Sequence, residues 1–412
     1  MDRVLRSRSL ASVDANGHAG VKGTPGRIVK STRPRSKKIK IEEDSAGHTL
    51  DKVSRYFIKK EDEDQQVNKI IEEHLKVEIK QEDLGLIPKL ETVIPKLEEI
   101  PNSFEPNPLQ VFNHKDNKEL LVNVFKPVQL EDIEDIPSSI AQPKNWSEIY
   151  NRVVKMRALF VAPVDTMGCE RIPEQINSNI RENPKLFRYQ LLISLMLSSQ
   201  TKDEVNYEAV SRMNQSFIVN GYRDGLCIEA ILNTSEVDID RLIQKVGFHN
   251  KKAIYIKRSS ELLRDNFNGD IPKTIQEIVT LPGVGPKMGY LLLHKAWNIA
   301  DGIGVDVHLH RLAQMWKWAP KSDKPEVSRV ALQKWLPKKF WSEVNPLLVG
   351  FGQMVCLPKG NKCDVCSLAT AGLCPSVNRK LLNQRGSPDR LAQLHKGRGD
   401  LSLLIEEIGK LA

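Results

Sequence analysis

The sequence predicts an all-α fold for residues 145–378, behind a long tail. Three observations carry this. Apolar residues recur at helical spacing from Trp146 onward. No run in this region alternates polar and apolar with the period of two that a half-buried strand needs. Capping-box pairs and Gly/Pro turns cut the chain into helix-length pieces, roughly ten of them on this pattern.

The elements follow in order. Residues 1–144 read as a disordered tail. Residues 1–50 carry 11 basic and five acidic residues and no aromatic one, with Ser, Gly and Pro scattered between them. Such a segment buries too little apolar surface to offset its ordering entropy. Arg3, Arg6 and Arg8 read as the start of a mitochondrial presequence, against which Asp2 counts. Arg33, Arg35, Lys37, Lys38 and Lys40 read as a nuclear import signal. The expected location is therefore nucleus and mitochondrion. Residues 51–100 switch sign, with nine basic and 13 acidic residues. Trp146, Ile149, Tyr150, Val153 and Val154 mark the first amphipathic helix. Tyr189–Leu197 is almost wholly apolar and should be a core helix. Thr201 with Glu204, and Thr274 with Glu277, are capping-box pairs that start further helices. Ala253–Phe267 and Pro325–Trp335 add two more.

Composition narrows the partner. A chain of 412 residues has room for two or three domains and a sizeable core. Its net +9 is uneven: residues 1–150 sum to −2, and residues 151–412 to +11. All six tryptophans lie at or after Trp146, so the globular part is the basic part, which suits a polyanion such as nucleic acid. No stretch has the roughly 20 consecutive apolar residues of a membrane helix, so no membrane partner is expected. Six cysteines are too few for a disulfide scaffold.

The sharpest local feature is Leu281-Pro-Gly-Val-Gly-Pro-Lys287, between helices expected at 274–280 and 286–297. Gly283 and Gly285 permit a tight turn around Val284 and bring the backbone close to a ligand. Pro286 suits the first helical position, and a helix start favours phosphate. This reads as a helix–hairpin–helix that grips a DNA backbone. Lys287 falls in the first turn, where the helix dipole disfavours the ammonium and so favours a nucleophilic amine. Asp306, in Gly304-Val-Asp-Val-His308, should cap another helix and could bring a carboxylate to that amine. Cys356, Cys363, Cys366 and Cys374 crowd together with spacings x6, x2 and x7. On spacing alone they suit structural zinc or a [4Fe–4S] cluster equally. Lys359 and Lys362 should project positive charge beside them. Cys169 and Cys227 read as ordinary thiols.

LPGVGPK, GVDVH and the four-cysteine loop, in this order, resemble the endonuclease III family of base-excision repair enzymes. The likeness extends through Ala162-Pro-Val-Asp165, Leu195–Asp203, Val246-Gly-Phe248 and Leu347–Gln353. It implies a helix-hairpin-helix DNA glycosylase fold in two helical halves. One would be a barrel over about 186–303, with the hairpin at 274–297. The other would join 145–185 to 304–378 and carry a C-terminal iron–sulfur cluster loop at 356–374, with 379–412 as an extension.

The resemblance also implies roles. Lys287 would attack the sugar C1′, displace the base and form an imine, with Asp306 assisting. Beta-elimination would nick the abasic site 3′ to the lesion. Gln200 would fill the gap left by the extruded base, and Phe248 would be a second wedge. Asp203 would lie near the pocket. The implied substrates are oxidised pyrimidines in double-stranded DNA, the cofactor a [4Fe–4S] cluster, and the enzyme a monomer. The x7 spacing is longer than the usual x5, and Val307 stands where Thr is usual. A monofunctional glycosylase would lack Lys287, and a silent DNA-binding module would need neither Lys287 nor Asp306.

Four tail segments have the form aliphatic-Lys-x-Glu, centred on Lys40, Lys59, Lys76 and Lys80. That form resembles the acceptor site of the small ubiquitin-like modifier, which makes the modifier's conjugation machinery a candidate partner.

Overall fold

The computed structural model describes residues 125–396 and 399–408. Among these residues every regular element is a helix. The expectations placed on Arg3 to Lys80 lie outside the described residues.

Two cores organise the described chain. One gathers residues of 172–293, chiefly from the apolar helix Pro184–Ser198 and its neighbours Asp203–Val219, Glu236–Ile243, His249–Asn266 and Pro286–Trp297. The other joins residues 125–162 to 303–408, through helices Trp146–Arg157, Val307–Met315, Pro325–Trp335 and Val344–Met354. Aromatic packing anchors this second core. Trp335 lies 5.1 Å from Trp146 and 5.6 Å from Trp318, ring centre to ring centre, and donates its indole N–H to the Trp318 carbonyl. Such edge-on pairs add about 0.5–1.5 kcal/mol each beyond simple burial.

Three boundaries differ from the sequence reading. The packed chain is already present at Phe125, ahead of 145: Phe125 and Val128 are buried in the second core, and a short helix runs over Leu130–Glu134. Asn151 holds this segment by accepting from the Val128 N–H and donating to the Val128 carbonyl. Residues 172–185 belong to the first core, because Ile172 and Ile180 are wholly buried there. The stretch after 378 packs rather than trails: Leu394, Leu401, Leu404 and Ile408 are buried in the second core.

Cap chemistry explains which helix starts were read well. Thr274 caps its helix as expected, accepting from the Glu277 N–H, but its hydroxyl, rather than its backbone N–H, donates to the Glu277 carboxylate, so only half of the capping box forms. Thr201 does not cap its helix. That helix starts at Asp203 behind Lys202, and the Thr201 hydroxyl donates instead to the Ser199 carbonyl. The helices number more than ten because several are single turns, such as Pro163–Thr166 and Ile275–Ile278.

Candidate active site

The hairpin comprises Ile275–Ile278, a turn, and Pro286–Trp297. Gly283 takes φ +78°, and a β-carbon there would sit 2.7 Å from the Tyr255 ring, so the turn requires glycine. Val284 is buried and donates its N–H to the Leu281 carbonyl. A β-carbon on Gly285 would meet nothing within 4 Å, so the backbone at the helix start faces open space. Gly289 lets the two hairpin helices close: a β-carbon there would lie 2.5 Å from Ile275.

Lys287 stands exposed in the first turn of the second hairpin helix and lines a cleft of about 850 Å³. Asp306 lines the same cleft and is itself only 8% exposed. It caps Val307–Met315, one carboxylate oxygen accepting from the Leu309 N–H at 2.7 Å. A bare glycine brings the two segments together. A β-carbon on Gly304 would lie 3.1 Å from the Lys287 carbonyl oxygen and 2.6 Å from Leu291. Asn345 fastens this strand of chain by donating to the Gly304 carbonyl at 2.5 Å.

Gln200 and Asp203 line the cleft as well. Asp203 accepts from Gln353 at 2.7 Å, and Gln353 in turn accepts from the Val164 N–H. This glutamine links segments from the two cores at the cleft wall. Asp165 of the Ala162–Asp165 motif is structural: it pairs with the buried Arg157 at 2.6 Å and caps Ala162. Phe248 is 57% exposed and lies outside the cleft lining, beside the Gln200 loop. Val307 lines the cleft and is 72% exposed.

Sequence reasoning missed Cys169, Glu170 and His308, all of which line the cleft. Burial pushes the Cys169 thiol up to about 12, against the pull of Lys287. Burial also raises the Glu170 carboxyl, with Lys295, Arg171 and Lys287 opposing. Burial lowers the His308 imidazole, which packs on the bare backbone of Gly352. Their one visible signal was position: Cys169 and Glu170 closely follow the Ala162–Asp165 motif, and His308 ends GVDVH.

The four loop cysteines come together around one recess, with Met315, Trp316 and Phe351 as apolar walls. None of the four is in a disulfide. Burial raises Cys366 to about 12, and Cys356 and Cys374 push it the same way, a mark of mutual proximity. Arg311 reaches the Cys356 sulfur at 3.7 Å, and the Asn378 N–H reaches that of Cys363 at 3.4 Å. The long last spacing is taken up by the single turn Ser367–Thr370 and a left-handed Gly372 (φ +68°). Among the described residues no three His, Cys, Asp or Glu side chains converge as ligands of one metal ion. The donor set, four thiols at the margin of an apolar recess, fits a thiolate-held cluster.

Lys359 is exposed beside this loop, as expected. Lys362 is not: it is buried, and its backbone N–H closes onto the Val355 carbonyl. The loop folds inward here because Arg390, from beyond the four cysteines, pairs with the buried Asp364 at 2.9 Å. Lys362 is therefore not the exposed charge read from the sequence.

A family profile described as "HhH-GPD superfamily base excision DNA repair protein" matches residues 193–338. The chain is 50% identical over 235 residues to the endonuclease III homolog of Schizosaccharomyces pombe, covering 57% of this chain and 63% of that protein. It thus spans somewhat less than two thirds of that relative. It is 43% identical over 248 residues to endonuclease III-like protein 1 of Mus musculus, covering 60% of this chain and 78% of that one. A solved trapped endonuclease III–DNA covalent intermediate is similar with a TM-score of 0.42 at 24% identity, over 51% of this chain and 98% of that one. This chain belongs to the endonuclease III family of base-excision DNA repair glycosylases. Among the described residues no helix is long and apolar enough to cross a membrane.

Proposed function

We propose that this chain removes oxidised pyrimidines from double-stranded DNA and then nicks the abasic site 3′ to the lesion. The observation that carries the reading is the approach of the Lys287 and Asp306 segments across Gly304, at the wall of one open cleft. The free amine of Lys287 attacks C1′. The bond from C1′ to the base breaks, and the base leaves with that electron pair and takes up a proton. The amine loses one proton, the C1′–O4′ bond breaks with O4′ taking up a proton, and a protonated imine then joins C1′ to Lys287. Removal of a C2′ proton then expels the 3′ phosphate oxygen, which is the nick. Asp306, on the wall of the same cleft, can accept a proton in this step, while its second duty, the helix cap, holds it in place. Gln200 fills the stack that the base vacates, with Phe248 as a second wedge; unstacking costs least at a damaged base. Gly283 and Gly285 present the hairpin backbone to phosphate, with Val284 buried as the anchor of the turn between them, and Lys359 adds a surface charge.

Cys356, Cys363, Cys366 and Cys374 would hold a [4Fe–4S] cluster. Bound there, the cluster would cross-link the loop to the second core, and the nicking chemistry would not pass through it. The protein acts in nucleus and mitochondrion, an assignment that rests on the two basic segments of the tail, and acts as a monomer. Conjugation of the small ubiquitin-like modifier at Lys40, Lys59, Lys76 or Lys80 would load bulk beside the DNA-binding domain. Reconstituted conjugation on the wild type and on a quadruple Lys→Arg variant tests that part.

The experiment for the main reading uses a duplex with one thymine glycol, scoring base release and strand nicking separately. Both should occur, with nicking on the 3′ side. Base release without nicking would leave a monofunctional glycosylase.

A further inference from the structure

The two wedge residues come from different elements, and both have left-handed backbones, φ 50° at Gln200 and 58° at Phe248. That conformation is costly for a residue with a β-carbon, so it persists only where the surroundings impose it. One buried side chain reaches across from the Phe248 element to the Gln200 loop. Lys252 lies in the first turn of His249–Asn266, immediately behind Phe248. Its ammonium donates to the Leu197 carbonyl at 2.8 Å, the Ser199 carbonyl at 2.7 Å and the Thr201 hydroxyl at 3.3 Å. These acceptors sit at the end of helix Pro184–Ser198, where carbonyls lack partners within the helix and a cation is favoured. The backbone N–H of Lys252 donates to the Phe248 carbonyl at 3.0 Å. That last bond is an ordinary helical one; what is particular to lysine is the ammonium, which ties the helix behind Phe248 to the residues on either side of Gln200.

A second tie runs in parallel. The Gly247 N–H donates to the Thr201 hydroxyl at 3.3 Å, and a β-carbon on Gly247 would lie 2.7 Å from the Gln200 carbonyl oxygen. The two loops touch backbone to backbone. A methionine would fill the Lys252 site without a buried charge, and burial does pull this ammonium down to about 8. Packing alone does not account for a lysine there.

We propose that Lys252 is a positioning residue for strand opening, locking the Gln200 and Phe248 loops into one rigid two-pronged wedge. The inference rests on the reading of Gln200 and Phe248 as the residues that enter the base stack. Lys252 touches no reacting atom, so its effect should appear only where a stack must be opened. A single-stranded abasic site needs no such opening and reports on Lys287 alone.

Lys252→Met and Lys252→Arg are to be compared with the wild type in single-turnover nicking of an abasic site, in duplex and in single strand. A 2-aminopurine beside the site reports unstacking by its fluorescence. Lys252→Met should slow duplex nicking by about tenfold to a hundredfold, the scale of a roughly 1 Å misplacement, and should lose the fluorescence rise. Its single-strand rate should fall by less than about threefold. Lys252→Arg should recover much of the duplex rate. Equal losses on both substrates, or no loss on duplex, would overturn the proposal. A wild type inactive on both substrates would overturn the functional reading itself, and this inference with it.

Discussion

Gly304 lies so close to Lys287 that a β-carbon on it would come within 3.1 Å of the lysine's carbonyl oxygen. That approach brings the Asp306 carboxylate into the cleft that Lys287 lines. Gly304→Ala must push the two segments apart, since the nearer clash, 2.6 Å to Leu291, is inside the packed helix. Overpacking of this kind costs about 1–3 kcal/mol. Melting should show that loss, and nicking should fall further than at a control site of equal destabilisation.

Asp306 has two duties that substitution can separate. Asn caps a helix about as well as Asp, so Asp306→Asn should keep stability while losing the carboxylate. Asp306→Ala should lose the cap too, at about 1 kcal/mol. Both variants should be deficient in base release, and only the alanine should melt early. Full activity in Asp306→Asn would reduce this residue to a cap.

The hairpin was legible almost to the residue, and the reason is local. Pro286 and the two glycines have few other uses at that spacing, and helix Pro286–Trp297 has the bounds the sequence suggested. The place of Lys287 in a helix's first turn and of Asp306 at a helix cap followed from the same local chemistry. What was not legible depended on distant partners. Acidic composition concealed that Phe125 and Val128 are buried against helices far along the chain. Lys362 read as a surface charge because nothing near it announces the Arg390–Asp364 pair that folds its loop inward. Thr201 matched a capping box in sequence, but its hydroxyl serves Gly247 and Lys252 instead.

Lys359 and Lys362 should therefore behave differently, contrary to the symmetric expectation from sequence. Neutralising Lys359 should lower the salt slope of DNA binding by up to about 1, the share of one phosphate contact. Neutralising Lys362 should leave that slope alone. Binding isotherms at several salt concentrations distinguish the two.

Glu170 should tie stability to pH. Burial holds its folded carboxyl above its ordinary value of 4.5, so between those two values the folded state binds more protons than the unfolded one. Its contribution is present below 4.5 and is lost as pH rises through the folded value. Glu170→Gln should therefore melt higher than the wild type at neutral pH, and the gap should close in acid. A gap that stays constant across that range would contradict the assignment.

The central claim is that Lys287 becomes covalently bound to the sugar. Borohydride reduces an imine to a stable amine, so lesion duplex incubated with the protein should yield a cross-linked species on a denaturing gel. Lys287→Gln should bind the same duplex and give no cross-link. Undiminished trapping in that variant would contradict the account, because the nucleophile would then be another residue.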